Sequence, residues 1–318
     1  MFRRWICRPV ILGLGLGATL AAALAGCGNQ PTDSSDVNVV LPEPTAKVSS
    51  RSPASGTAVP ATGTSAEAAT GAPSSSSSSA PAKAEGWGTL KGQILFGGTP
   101  EPAKVLQEKG KAAKDPDMCA VNAPIMDERL VVDAATKGVK NVLVYLPRPT
   151  AINEDAKKAV TGKTVAFDQK NCIFSPHVLG LMTNVPVALK SSDSKNHNVN
   201  VKLKQSTFNS TVAGGQTIVF TPLGAERSPG QVICDIHPWM KAWWMVLDHP
   251  YFAVTDEKGN YEIKNVPAGA PQRVVVWQEA VKSGGFVTPP SGEDVTIKAD
   301  GTTVKDFTID PGKLLPSS

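Results

Sequence analysis

The chain has 318 residues, enough for two domains with ordinary cores. Its net charge of +4 falls almost to neutrality once residues 1–26 are set aside: that stretch holds Arg3, Arg4 and Arg8 and no acid, leaving 29 cationic against 28 anionic side chains. A near-neutral protein gives no electrostatic footprint for nucleic acid. With four histidines, no Gly-rich phosphate loop and no nucleophile–base motif, the chain does not read as an enzyme.

Met1–Arg8 is a positively charged start, and Val10–Leu24 is an apolar run of Ile, Leu, Gly and Ala, too short and too Gly-rich for a membrane span. It ends in Leu24-Ala25-Gly26-Cys27, which resembles the bacterial lipoprotein box. The resemblance implies removal of residues 1–26 as a signal peptide, lipidation of Cys27 and anchoring to a membrane. By the same resemblance, Gly28 rather than Asp in the following position permits export to an outer membrane, the favoured anchorage, with the folded part in the periplasm or at the cell surface. The other reading is an ordinary secretory signal followed by a chance cysteine.

Of the 58 residues from 28 to 85, 41 are Ser, Ala, Pro, Thr or Gly and none is aromatic. Such a segment buries too little apolar surface to offset its ordering entropy, so residues 27–85 are expected to be a disordered tether. Its expected reach is roughly 40 Å.

From Gly86 the texture is that of strands. Thr89–Phe96 alternates and stops at Gly97-Gly98, and Val139–Leu146 is a strand closed by Pro147 and Pro149. Residues 99–138 are irregular and turn-rich. Asn153 caps a two-turn helix over 153–160. Residues 163–247 carry short apolar runs at close intervals: Thr164–Phe167, Cys172–Phe174, Val178–Met182, Val185–Lys190, His197–Leu203, Thr217–Phe220, Gln231–Cys234 and Trp243–Leu247. That spacing predicts an antiparallel sandwich.

Within this module Cys234-Asp235-Ile236-His237-Pro238-Trp239-Met240 places a thiolate, an imidazole and a thioether in seven residues, and His197 stands upstream. Two imidazoles, one thiolate and a weak thioether form the trigonal copper set with a long axial ligand. A zinc site would call for a second thiolate or a carboxylate. Singly, each residue has a plainer reading: Cys234 as a disulfide partner or inert thiol, His197 and His237 as satisfied core histidines, Met240 as core filler.

Residues 163–247 resemble a cupredoxin of the plastocyanin, azurin and amicyanin kind. The resemblance rests on Phe174-Ser175-Pro176-His177-Val178 leading into Val185–Leu189, on Asn196-His197-Asn198-Val199, on Gly214-Gly215 before Thr217–Phe220, and on Cys234-x-x-His237-x-x-Met240. It implies one type 1 copper held by His197, Cys234, His237 and Met240, and an Asn198 amide donating to the Cys234 sulfur. It further implies an apolar docking patch at Pro238 and Trp239 for redox partner proteins of the cell envelope. His177 is read as structural and His249 as surface. If Cys234 holds metal and Cys27 lipid, Cys119 and Cys172 are left to pair in an oxidising compartment; the alternative is two free thiols too far apart to bridge.

After His249-Pro250 a strand meander restarts over 250–312. Val254–Ile263 followed by Val266-Pro267-Ala268-Gly269 resembles the carboxypeptidase regulatory-like, transthyretin-like β-sandwich, whose opening strands would here be Gly92–Phe96 and Val142–Leu146. The expected architecture is therefore all-β: a Greek-key cupredoxin sandwich (160–248) combined with a second small β-sandwich (86–150 plus 250–312) that it interrupts. In the alternative, 86–150 are the first strands of the copper module. The expected function is single-electron transport. Copper capture or sensing stands beside it, as does an adhesion or scaffold lipoprotein whose second sandwich binds glycan or protein.

Overall fold

The computed structural model describes residues 84–316. The lipoprotein box, Cys27 and all but the end of the Ser/Ala/Pro/Thr-rich tether lie outside the described residues. The protein is all-β apart from one α-helix, Glu154–Thr161, and two short 3-10 turns among those residues.

Two sandwiches make up the fold. In the first, Trp87–Phe96 buries Leu90, Ile94 and Phe96 on one face, as its alternation requires. It pairs antiparallel with Asn260–Pro267 and parallel with Thr302–Val304 and Phe307–Ile309. The facing sheet sets Leu143–Tyr145 between Phe252–Val254 and Gln272–Trp277, with Glu293–Val295 outermost. Strands from either side of the intervening 106 residues between Tyr145 and Phe252 thus alternate within the same sheets, around one core containing Leu90, Ile94, Val142, Val144, Ile263, Val274, Val276 and Ile309.

The run Val139–Leu146 is two strands rather than one. Asn141 adopts φ 61°, a left-handed conformation that Asn tolerates better than most side chains, and this separates Val139–Lys140 from Leu143–Tyr145. The helix starts where Asn153 Oδ1 accepts the Ala156 amide. Tyr251 Oη accepts the Asn153 amide at 2.7 Å, so the helix is tied to the point where the chain re-enters the first sandwich.

The second sandwich packs a four-stranded sheet, in the order Thr217–Phe220, Val187–Ser191, Val165–Lys170, Ile173–Ser175, against a five-stranded one. The order in the latter is Phe208–Val212, His197–Lys202, Gly230–Ile233, Lys241–Leu247, Val178–Met182. Phe167, Leu181, Leu189, Val199, Val201, Val232 and Trp244 fill the space between them. Phe208–Val212 is a strand that the apolar runs do not mark: its sequence is mostly polar and its outward residues are exposed. A third cluster, Leu143, Tyr145, Val178, Met245, Leu247, Val275 and Trp277, joins the two sandwiches. His249, expected at the surface, is 2% exposed at this junction: its ring stacks on Tyr251 and Nδ1 accepts the Tyr251 amide at 3.2 Å, because the chain turns inward there to resume the first sandwich.

Candidate metal centre

Register places the ligand loop. Gly230–Ile233 and Lys241–Leu247 pair antiparallel, and Ile233 lies opposite Lys241. Cys234 and Met240 are the next residues on each side, joined by a 3.2 Å bond from the Cys234 amide to the Met240 carbonyl. The Met240 amide donates to the His237 carbonyl at 2.9 Å, folding the tip inward. The three-residue spacings therefore follow from a hairpin whose tip turns His237 into the core and leaves Asp235 and Pro238 exposed. His197 is the first residue of His197–Lys202, paired with Val212 across the edge.

Cys234, His197, His237 and Met240 are all buried, at 2%, 0%, 0% and 1% exposure. His197 Nδ1 and His237 Nδ1 are 3.1 Å apart, and Cys234 Sγ is 3.7 Å from His237 Nδ1. The Asn198 amide donates to Cys234 Sγ at 3.3 Å. Asn198 is held in turn: its side chain donates to Asn209 Oδ1 at 2.6 Å and accepts the Asp235 amide at 3.2 Å.

The outer faces of both rings end on carboxylates, which the sequence did not signal. His197 Nε2 donates to Asp193 Oδ2 at 2.8 Å, and His237 Nε2 donates to Asp115 Oδ2 at 2.9 Å. A carboxylate can only accept, so each Nε2 carries the proton and each Nδ1 turns inward toward the sulfur. Asp193 also accepts the amides of Asn171 and Cys172. Asp115 belongs to the irregular segment 99–138, whose sequence carries no sign of a part in the centre. Lys195 fastens that segment, reaching Asp117 at 2.7 Å and Asp115 at 3.7 Å. Asp115, 122 residues from His237, leaves no spacing signal; Asp193, four residues before His197, is the one that could have been noticed.

A disulfide joins Cys119 and Cys172, with 5.4 Å between their Cα atoms, and pins the same segment to the second sandwich. Trp239 is half-buried, its ring 5.2 Å from that of His237 and its indole N–H donating to the Cys172 carbonyl at 3.0 Å. Pro238 is exposed beside it.

Burial alone would push the Cys234 thiol upward, but hydrogen bonds from His197, His237 and the Asn198 amide prevail and lower it from 9.0 to about 6. Burial works against a charged His197 as well, yet its bonds to Asp193 and Cys234 raise it to about 9. Asp193 is lowered despite its burial by His197 and the two backbone amides. The pocket is thus arranged for a thiolate beside positive charge.

These residues fit a metal ion. Two Nδ1 lone pairs 3.1 Å apart and a thiolate 3.7 Å from one of them repel unless a proton or a cation lies between. An ion with bond lengths of about 2.0–2.3 Å to nitrogen and sulfur spans such separations at angles of roughly 100° and 120°. One thiolate, two imidazoles and a thioether are the donor set of a trigonal copper site.

His177, outside the centre, is buried and bonds through Nε2 to Glu279, which also accepts the Trp243 indole N–H at 2.6 Å. Burial pushes His177 down, but Glu279, Glu128 and Asp127 outweigh it and raise it. It ties the two sandwiches together.

No protein-family model matches the chain, and no curated protein does. Among solved structures, the chain is similar to a copper-containing nitrite reductase from Thermus scotoductus SA-01, with 21% identity, 27% of this chain and 22% of that one covered, and a TM-score of 0.25. The chain therefore spans about a fifth of that protein's length. A purple cupredoxin from Nitrosopumilus maritimus is 18% identical over 26% of this chain and 99% of its own, with a TM-score of 0.23. The oxidised form of an amicyanin mutant is 17% identical over 29% of this chain and 90% of its own, with a TM-score of 0.25.

Proposed function

We propose that this protein is a membrane-tethered type 1 copper protein that carries single electrons between redox partners of the cell envelope. The observation that carries the reading is the buried Cys234 thiolate facing two inward Nδ1 atoms whose outer nitrogens are fixed by Asp193 and Asp115. His197, Cys234 and His237 would hold the ion, and Met240, opposite Cys234 in the hairpin, would add the weak thioether. Bound copper supplies a one-electron couple. The chain's own contribution is rigidity. The two carboxylates hold the ring planes, the Asn198 amide draws charge from the sulfur, and the hairpin and disulfide keep water out, so little has to rearrange when charge changes.

Partners would dock over Pro238 and Trp239, next to His237. The complete lipoprotein box supports an anchor on Cys27 and a place in the envelope, with the outer membrane favoured by Gly28. The first sandwich would present the centre at the end of the tether. Replacing Cys27 by Ser should then free the protein from the membrane fraction.

Loading with Cu(II) should give an intense visible band from thiolate-to-copper charge transfer, and Cys234→Ser should remove it. A colourless loaded protein would overturn the reading. One observation favours a second reading, copper capture: both imidazoles are fully buried, His237 beneath Asp115. Fast, reversible voltammetry supports the carrier; slow or irreversible response supports capture.

A further inference from the structure

The Cys119–Cys172 disulfide lies against the metal centre. Its two sulfurs and a ring nitrogen of His237 fall within 4.8 Å of one another, and Cys172 Sγ forms a second such trio with Asp193 and His197. The proposed ligands His197, Cys234 and His237 form a third. Three cysteine sulfurs and two imidazoles thus make one contiguous cluster, and every member is 2% exposed or less.

In a disulfide the sulfurs carry no thiolate charge and are poor ligands; as thiolates they are the soft donors that Cu(I) prefers to imidazole or carboxylate. Cutting the S–S bond would not release the segment that carries Cys119. Asp115 still bonds His237 Nε2, Lys195 still reaches Asp115 and Asp117, and the Cys119 amide donates to the Asp115 carbonyl at 2.7 Å. On the other side, the Cys172 amide is held by Asp193 Oδ2 at 2.9 Å. The two thiols would stay beside each other and beside the ligand histidines.

We propose that reduction of the Cys119–Cys172 disulfide opens a second metal site, a two-thiolate Cu(I) site formed by Cys119 and Cys172 beside the first. The proposal rests on the copper reading of the first site. A dithiol reductant supplies the chemistry. One of its thiolates attacks a protein sulfur and breaks the S–S bond, and the second thiolate resolves the mixed disulfide. Two electrons and two protons pass to the protein, and the reductant leaves as a disulfide. Cu(I) then binds the two sulfurs and displaces their protons, with no change in its own oxidation state. One protein would so hold copper in two ways, as a carrier when the disulfide is closed and as a store when it is open.

The test is a Cu(I) titration of the purified full chain against a chromophoric Cu(I) chelator, without oxygen, before and after phosphine reduction and removal of the reductant. Reduction should add two reactive thiols under native conditions and raise the tightly bound Cu(I) from one to two per chain. In Cys119→Ser/Cys172→Ser the value should stay at one with or without reductant. In Cys234→Ser it should go from none to one, which separates the two sites: a wild-type protein that binds copper only after reduction defeats the first reading and keeps this one. A reduced protein with two new thiols that still binds a single Cu(I) overturns the proposal, as does a disulfide that yields only in denaturant.

Discussion

The protonation of this centre is decided atom by atom, and Asp115 is the most consequential residue outside the ligand set. From the irregular 99–138 segment its carboxylate reaches to 2.9 Å from Nε2 of His237, a proposed ligand. Outer carboxylates of this kind typically change metal affinity by about 10- to 100-fold. Asp115→Asn should weaken Cu(II) binding by about that factor in a competition titration, while Asp117→Asn, which loses only the exposed Lys195 pair, should not. A matching loss in both would place the effect in the segment's anchoring rather than in the hydrogen bond. The metal-free protein gives a pH test. The folded Cys234 value of about 6 lies below its ordinary 9.0, so its contribution to stability is fully present above pH 9 and lost as pH falls through 6. His197 is the reverse: about 9 against 6.5, so its contribution is complete below pH 6.5 and lost as pH rises through 9. The two offset each other between pH 6.5 and 9, and denaturant midpoints of the metal-free protein should be nearly flat there. Cys234→Ser removes the thiol's contribution and leaves His197 raised by Asp193 alone, so its midpoint should fall as pH rises above 6.5.

At the scale of elements, what can be read in advance depends on how strongly each strand alternates. Trp87–Phe96 and Lys241–Leu247 bury their apolar residues and are legible as strands. Phe208–Val212 is not, since Asn209 and Thr211 face solvent and the strand exists because His197–Lys202 offers it a partner. The spacing Cys234-x-x-His237-x-x-Met240 is visible because one hairpin makes it. Asp115 is invisible because only tertiary packing brings it 122 residues along the chain to His237. Close backbone approaches are also hidden from pattern. Gly92 faces the Lys305 carbonyl, and a Cβ there would fall well inside van der Waals contact with that backbone oxygen. The Lys305 carbonyl cannot easily retreat, because it also accepts the Tyr261 hydroxyl at 2.6 Å. Gly92→Ala should therefore destabilise the first sandwich by about 1–3 kcal/mol, the usual cost of overpacking, read from the shift in thermal or denaturant midpoint. An unchanged midpoint would mean that the 302–309 strands slide freely along Trp87–Phe96.

The whole molecule depends on the two sandwiches being built into each other. Val178, Met245 and Leu247 of the second sandwich are buried against Leu143, Tyr145, Val275 and Trp277 of the first. Trp243 packs on Trp277 with ring centroids 5.1 Å apart and donates to Glu279. Fully exposing three such apolar side chains costs about 5–9 kcal/mol at about 1.5–3 kcal/mol each, comparable to the entire stability of an ordinary domain. Excision also removes Cys119 and with it the disulfide, a loss that typically costs about 2–5 kcal/mol in small disulfide-bonded domains. Together the two losses, about 7–14 kcal/mol, are comparable to the about 5–15 kcal/mol that holds an ordinary domain folded. Residues 160–248 expressed alone should therefore show no cooperative denaturant transition, whereas residues 86–318 should unfold cooperatively with the disulfide closed. The comparison also bears on the centre itself, since the excised piece lacks Asp115 and leaves His237 Nε2 to water. A short piece that folds and binds Cu(II) as tightly as the longer one would show that the first sandwich is only a carrier for a self-sufficient metal module.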